Sequence, residues 1–187
     1  MARPLDHRKR ADLLAGVVAY IAAHGLAELS LRPLAAALGT SSRMLIHYFG
    51  TKEELLVQAL ATQRPDLTAV FDDVTEPAQL RERLIAFCEL NLVGAESDSV
   101  RVLLQVIGAA CAPDSPYQDY AHGAIAVFVA ELAAALRRTG LAVDPEVVAT
   151  LLVSGLRGII QDYLITGDRD RTQRAARTLV ELALPGA

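Results

Sequence analysis

The residues best suited to chemistry lie between Ser41 and Lys52, where polar and basic side chains recur at short intervals. Arg43 and His47 are four residues apart, so a helix would present them on a similar face, one turn from each other. An arginine can hydrogen-bond guanine O6 and N7 through a fork of two N–H groups, and a serine can bond to a base or to a phosphate. These residue types and this spacing fit the hydrogen-bonding groups of a DNA major groove.

Two short helices with a tight turn between them would hold these side chains in place. Leucines spaced by three or four residues predict a short helix that Ser30 can cap. Gly39 interrupts it, and Thr40 or Ser41 can cap a second helix that runs to about Phe49. Such a pair has the size of a helix-turn-helix, in which one helix braces while the other enters the major groove.

Helices are also predicted on both sides of this pair. Apolar residues at three- and four-residue steps predict a helix over 6–24. Thr51 and Glu54 form a capping-box pattern, which predicts a further helix as far as Arg64, and Pro65 then ends it or bends it. The predicted organisation has three parts, which are a helix-turn-helix domain at 1–51, a linking helix at 52–64 and a helical domain at 65–187.

The remaining sequence predicts helices only. Segments near 77–94 and 99–111 have helical periodicity. Asp144-Pro145 is a start signal for a long helix that Gly167 ends, because an acidic cap followed by proline suits a helix N-terminus. No segment alternates apolar and polar residues as a strand would. We therefore predict an all-α fold of about nine helices.

Charge is distributed unevenly along the chain. Residues 1–50 carry six Lys or Arg and three Asp or Glu, a net charge of +3, whereas the whole chain is −4, which leaves −7 for the rest. A basic head on an acidic body fits a protein that meets phosphate at one end only. With 187 residues, of which 52% are hydrophobic, the chain can bury a core and form at most two compact units.

The sequence favours a reducing, cytoplasmic environment. No signal-peptide pattern opens the chain, and the first apolar run, at 13–23, is too short to span a bilayer, so we expect no membrane partner. Cys88 and Cys111 lack metal-ligand spacing and fall inside apolar helical stretches. We predict two buried thiols rather than a disulfide.

At the level of residues, the head resembles the TetR family of bacterial regulators. Arg43 stands where that family usually has a glycine, and Ile46 where it has an aromatic residue, so the resemblance leaves the base contacts of this chain open. The resemblance covers about residues 6–60 and implies a repressor that binds DNA as a homodimer and is released by a small-molecule ligand. The matching residues are Leu34-Ala35, Leu38-Gly39-Thr40-Ser41, Leu45, His47-Tyr48-Phe49 and Thr51-Lys52-Glu53-Glu54-Leu55.

Eight residues of the head are candidates for contact with double-stranded operator DNA. Arg43 is the candidate reader of a base, and Tyr48 and Lys52 are suited to phosphate contact. Met44 could face thymine methyl groups or cover the edge of the domain. The eight candidates are Arg32, Ser41, Ser42, Arg43, Met44, His47, Tyr48 and Lys52.

The candidate dimer interface lies on the last two helices. A protein with one recognition helix gains affinity by pairing, because two half-sites are then bound together. The helix at 145–166 is apolar over most of its circumference and contains small residues that allow close approach, although ordinary core packing within one chain would give the same pattern. The resemblance implies a four-helix bundle made by two subunits. The predicted interface residues are Leu151, Leu152, Gly155, Ile159, Leu179 and Val180.

The middle helices, over 77–138, would enclose a ligand cavity. Polar and aromatic residues lie among apolar ones there, which is typical of a small-molecule site, although each of them could equally belong to the core or the surface. A moderately apolar small molecule is the expected effector. The candidate lining residues are Phe87, Asn91, Gln105, Tyr117, Tyr120, His122 and Phe128.

Two other classes of function were compared with DNA binding. A helical enzyme would need a catalytic or cofactor site, and the sequence has no metal-spaced cluster and no glycine-rich phosphate loop, so we expect no catalytic residue, metal or cofactor. Asp119 and His122 share a helix face, but such a pair is usually a simple hydrogen bond. A helical adaptor that binds proteins would show no salt-dependent affinity for DNA, whereas a DNA-binding regulator should lose affinity steeply as salt rises.

Overall fold

The fold is all-α in a computed structural model that describes residues 7–27, 29–62, 67–91 and 95–185, with the side chains of 7, 91 and 95–97 left out. The described residues form ten helices and no strand, which confirms the predicted fold class. The additional helix, α5, lies near the start of the predicted helical domain at 65–187. The helices are α1 His7–His24, α2 Leu31–Ala37, α3 Ser42–Phe49, α4 Lys52–Ala61, α5 Leu67–Phe71, α6 Pro77–Asn91, α7 Ala95–Ala110, α8 Gln118–Thr139, α9 Pro145–Thr166 and α10 Arg169–Ala183.

Side-chain caps explain several of these boundaries. The capping box of α4 is complete, because the Thr51 hydroxyl accepts from the Glu54 N–H (3.1 Å) and the Glu54 carboxylate accepts from the Thr51 N–H (2.7 Å). Hydrogen bonding of the Glu54 carboxylate to the Thr51 N–H, and then to the Thr51 side chain, lowers the pKa of Glu54. Ser30 is the N-cap residue of α2, as predicted, and its carbonyl accepts from the Leu34 N–H (3.3 Å). Its side chain makes no capping hydrogen bond, and Pro33, three residues on, lacks an N–H that such a bond could use.

Packing divides the chain into two compact units, Met1–Arg64 with Asp98–Ala121, and Pro65–Ser97 with His122–Ala187. The sequence assigned all of 65–187 to one domain, whereas 98–121 packs with the N-terminal head. A long-range hydrogen bond explains part of this grouping: the Leu26 N–H donates to the side-chain oxygen of Gln105 (2.7 Å). No local sequence pattern reports such a bond.

The first unit is built around α1. Its apolar residues Val17 and Ile21 are completely buried, as helical periodicity predicts. Helix α1 packs on α4 and α2, and α3 packs on both α2 and α4. A side chain at Gly16 would overlap Leu38, so the end of α2 approaches α1 closely at this point. The packing holds α3 by one face and leaves its other face uncovered within the unit.

In the second unit, α9 packs along α10, and α10 packs on α6. The two long helices run antiparallel, since Arg171 near the start of α10 donates to Asp162 near the end of α9 at 2.6 and 2.8 Å. These hydrogen bonds from Arg171 lower the pKa of Asp162. At the other end, Arg81 of α6 donates to the Leu184 carbonyl (2.8 Å), which ties the end of α10 to α6.

Two helices, Gln118–Thr139 and Pro145–Thr166, are long and apolar enough to cross a membrane by length and composition alone. About a third or less of each 18-residue window is buried, at 33% and 28%. Core helices of soluble proteins pass the same test, so the observation is weak support for a membrane span. For α9, the exposed apolar residues lie opposite the side that packs on α10, and a second protein surface would cover them equally well.

The two cysteines differ in accessibility, which corrects the prediction that both are buried. Cys88 is buried in α6, and burial together with the adjacent charge of Glu89 raises its pKa to about 11. Cys111 is exposed, because α7 ends one residue before it. We expect an aromatic disulfide reagent near neutral pH to label one thiol of the folded protein rapidly, since only the thiolate reacts. Cys111→Ser should remove the rapid phase, and its persistence would contradict this assignment.

Candidate nucleic-acid interface

The inward face of α3 is fixed by apolar and aromatic contacts. Leu45 is 1% exposed and Phe49 is 4% exposed. The Arg10 guanidinium lies over the Phe49 ring, 5.1 Å from its centroid, and hydrogen-bonds Gln58. Gln58 in turn donates to the Phe49 carbonyl (3.0 Å). Arg10 therefore helps to hold the end of α3 in place, although its charge alone would have suggested a phosphate contact.

The outward face of α3 presents an arginine, an isoleucine and a histidine to solvent. Arg43, Ile46 and His47 are all exposed, at positions i, i+3 and i+4 of one helix face. Ile46 is 43% exposed and was missed by the sequence prediction. A signal for it exists, because Ile46 is out of phase with the inward pair Leu45 and Phe49. An exposed isoleucine beside an arginine suits contact with thymine methyl groups.

The N-terminus of α3 is capped by one of the predicted contact residues. The Ser41 hydroxyl accepts from the Met44 N–H (3.3 Å), and its own O–H is still able to donate to a phosphate. Ser42 and Met44 are half-buried. Tyr48 is also half-buried, with its ring edge-on to His47 at 5.8 Å between centroids. The predicted residues of α3 thus form one continuous surface from its cap to Tyr48.

Arg32 and Lys52, the predicted DNA contacts outside α3 and its cap, differ in how accessible they are to a phosphate. Arg32 is exposed on α2. The Lys52 ammonium lies 3.5 Å from the Leu29 carbonyl and 3.7 Å from the Glu53 carboxylate. Lys52 therefore ties the start of α4 to the segment before α2, and a phosphate would compete with these neighbours for it.

Residues 13–59, which contain all of α2 and α3 and most of α1 and α4, match the family model described as bacterial regulatory proteins, tetR family. Over this segment the chain matches the TetR family. The match covers the whole surface described above, from Arg32 to Lys52. No curated protein sequence matches the chain.

Solved structures extend the likeness of the fold over nearly the whole chain. A transcriptional regulator from Rhodococcus sp. Rha1 is 23% identical, with a TM-score of 0.80 over 95% of this chain and 97% of that one. A transcriptional regulator from Saccharomonospora viridis in complex with choline is 22% identical, with a TM-score of 0.75 over 94% and 97%. The complex of SmeT with triclosan is 16% identical, with a TM-score of 0.74 over 95% and 90%. SmeT is the repressor of the Stenotrophomonas maltophilia multidrug efflux pump SmeDEF. At these identities the likeness establishes the fold.

Two of the predicted dimer residues are unavailable to a second subunit. Leu152 and Val180 are completely buried within the chain, so the prediction is wrong for both. A side chain at Gly155 would overlap Leu179, so this close approach joins α9 to α10 inside one subunit. The sequence pattern could not separate the two cases, because α9 is apolar on nearly every side.

Other apolar residues on the same helices are exposed instead. Leu151 is 52% exposed and Ile159 is half-buried. Val147, Ile165 and Leu182, which the sequence prediction missed, are 63%, 75% and 77% exposed. On α9, residues 147, 151, 154, 158, 161 and 165 recur at three- and four-residue steps and are all exposed, so they form one stripe along the helix. This outer stripe is the part of α9 that a partner could reach.

The predicted ligand-lining residues are divided between the two units. Phe87 and Phe128 meet edge-on at 5.3 Å between centroids, and Phe71 lies 6.3 Å from Phe128, so the second unit contains an aromatic cluster. His122 is exposed. Gln105, Tyr117 and Tyr120 belong to the first unit, and the Asn91 side chain lies outside the described residues. Among the described residues, no group of three or more His, Cys, Asp or Glu could hold a metal ion.

Proposed function

We propose that this TetR-family regulator is a repressor that binds double-stranded operator DNA as a homodimer and is released by a small-molecule effector. One observation carries the proposal: α3 exposes Arg43, Ile46 and His47 on one face and is held from behind by Leu45 and Phe49. A helix anchored in this way can enter a major groove without losing its own packing. We assign no catalytic role to it, and we place it in the cytoplasm, where bacterial transcription takes place.

Different parts of the exposed surface of α3 are proposed to contact the bases and the phosphates of DNA. Arg43 can fork to guanine O6 and N7, and Ile46 can pack on a thymine methyl group. Ser41 and Tyr48 flank this face and can bond to phosphates, as can Arg32 on α2. The proposal therefore assigns base readout to the middle of the exposed surface and backbone contact to its borders.

The dimer is proposed to form through the outer stripe of α9 together with α10. Because α9 and α10 run antiparallel with Gly155 against Leu179, Leu182 of α10 lies near the level of Leu151. Both are more than half exposed, whereas Ser154 and Gly158 in the middle of the stripe are small. Large apolar ends with a small centre suit close crossing by the same helices of a second copy. Two heads would then reach half-sites about 34–36 Å apart.

The proposed release by an effector requires a site for a small molecule. The aromatic cluster of Phe71, Phe87 and Phe128 offers an apolar surface in the second unit. Two of the similar structures carry choline or triclosan, which supports a small organic effector here. An effector can change DNA affinity only by as much as its own affinity differs between the two conformers.

The experiment that tests DNA recognition is Arg43→Ala. On a duplex selected from genomic fragments by the purified protein, we expect affinity to fall by about 1–3 kcal/mol if Arg43 reads a base. Fluorescence anisotropy would measure it. Thermal stability should stay nearly unchanged, because the side chain is exposed and makes no hydrogen bond or ion pair with the part of the chain that the structure describes.

Two control variants distinguish the loss of a base contact from the loss of a positive charge. Arg43→Lys keeps the charge and loses the fork, so it should lose affinity for the selected duplex but not for random-sequence DNA. Arg83→Ala, at an exposed arginine of the second unit, removes one charge elsewhere and should change little. Equal loss on every sequence would make Arg43 a phosphate contact. A wild-type protein whose binding to all duplexes is weak and independent of salt would instead support a helical adaptor.

A further inference from the structure

One hydrogen bond ties α7 to the turn between α1 and α2. The side-chain oxygen of Gln105 accepts the Leu26 N–H at 2.7 Å, across 79 positions of sequence. Gly25 has a φ of +84°, which turns the chain sharply at the end of α1. The turn then closes with the Leu29 N–H donating to the Leu26 carbonyl (3.1 Å). Gln105 thus supplies the acceptor for the Leu26 amide.

The same turn is held from a second side. Lys52, at the start of α4, donates to the Leu29 carbonyl at 3.5 Å. Residues 25–30 are the connection from α1 to α2, and α2 is the helix that packs on α3. The geometry of this connection therefore sets how α2 braces the DNA-reading helix.

Helix α7 holds Gln105 in a fixed position. Val102 and Val106, three residues before it and one after, are completely buried, so α7 cannot rotate without exposing them. The segment after α7 also packs with the head: Tyr117 is buried, and burial with the nearby charge of Glu53 raises its pKa. Any displacement of α7 would therefore act on the turn through the Gln105–Leu26 hydrogen bond.

We propose that Gln105 is a positioning residue for DNA recognition, which fixes the α1–α2 connection through the Leu26 N–H and so sets the affinity of α3 for DNA. This inference rests on the proposed function, and it deepens it by naming the bond through which α7 acts on the head. It also gives Gln105 a different role from the ligand contact that the sequence suggested.

The test compares two substitutions of Gln105 in the full chain. Gln105→Met keeps the length of the side chain and removes the strong acceptor, whereas Gln105→Glu keeps an oxygen that can accept the Leu26 N–H. On the duplex selected by the wild-type protein, we expect Gln105→Met to bind about three- to tenfold more weakly, the equivalent of one hydrogen bond, and Gln105→Glu to recover most of the loss. Gln118→Met, at an exposed glutamine of α8, is the matched control and should bind as the wild type does.

A second readout separates positioning from general stability. Amide hydrogen exchange at Leu26 should be faster in Gln105→Met and restored in Gln105→Glu, while the amides of α9 and α10 keep wild-type rates. Faster exchange at Leu26 with unchanged DNA affinity would overturn the inference. So would equal losses of affinity in the Met and Glu variants. A wild-type protein that selects no duplex would instead overturn the proposed function.

Discussion

Leu151→Glu is expected to convert the protein from a dimer to a monomer without unfolding it. Leu151 is 52% exposed in the single chain, so a carboxylate there stays solvated in the monomer but would be buried unpaired in a dimer formed by the outer stripe of α9. Because a monomer binds one half-site at a time, affinity for the selected duplex should fall by about a hundredfold or more. Light scattering measures the mass, and anisotropy measures the affinity.

The matched control is Val127→Glu on α8, where the residue is similarly exposed at 49% but lies outside the outer stripe. It should leave the protein dimeric. A Leu151→Glu protein that still has the mass of a dimer would move the interface away from α9. Gly155→Leu, which the sequence alone would recommend for this purpose, is a poor probe, since its side chain would overlap Leu179 and disturb the α9–α10 packing within each subunit.

The second large effect is a loss of stability expected from a substitution at Leu45 but not at its neighbour Ile46, because the two side chains lie on opposite faces of α3. Leu45→Ala should lower the free energy of unfolding by about 2–5 kcal/mol, because Leu45 is 1% exposed and its loss leaves a cavity between α3 and its supports. Ile46→Ala should change stability by about 0.5 kcal/mol or less, because Ile46 is partly exposed on the outward face. Urea denaturation followed by circular dichroism measures both.

The effects of the same two substitutions on DNA affinity should differ from their effects on stability. Ile46→Ala should weaken binding to the selected duplex while the protein stays folded, because an apolar contact with the groove is lost. Leu45→Ala should weaken binding only to the extent that the head is unfolded, so lowering the temperature should restore part of it. If Ile46→Ala bound the duplex as tightly as the wild type, Ile46 would not belong to the DNA surface.

Much of the head was predictable from local sequence. The outward positions Arg43 and His47 and the inward positions Leu45 and Phe49 follow from the period of a helix whose start and end are marked by Ser41 and Gly50. In α9 both boundaries agree with the prediction, because Asp144 caps the helix and Gly167 ends it in the left-handed conformation. These features depend on residues within a few positions of one another.

The residues whose roles differ from the sequence prediction depend on contacts that the predicted patterns do not describe. Ser30 occupies the N-cap position of α2 but makes no side-chain capping hydrogen bond, and the pattern of cap residues takes no account of the proline three residues on. Leu152 was grouped with Leu151 because an apolar residue next to another gives no sign of which one faces α10. Arg10 was counted in the positive charge of residues 1–50, and its position over Phe49 makes it part of the packing as well.

The sequence by itself determined most of the helices and several of their ends, and it predicted residues for contact with DNA, since hydrophobic period and capping are properties of short segments. Only the tertiary structure decided which side of α9 remains open, and that Gln105 of α7 bonds to Leu26 of the head. Both depend on residues brought together from distant parts of the chain, and the packing that selects them is a property of the whole fold.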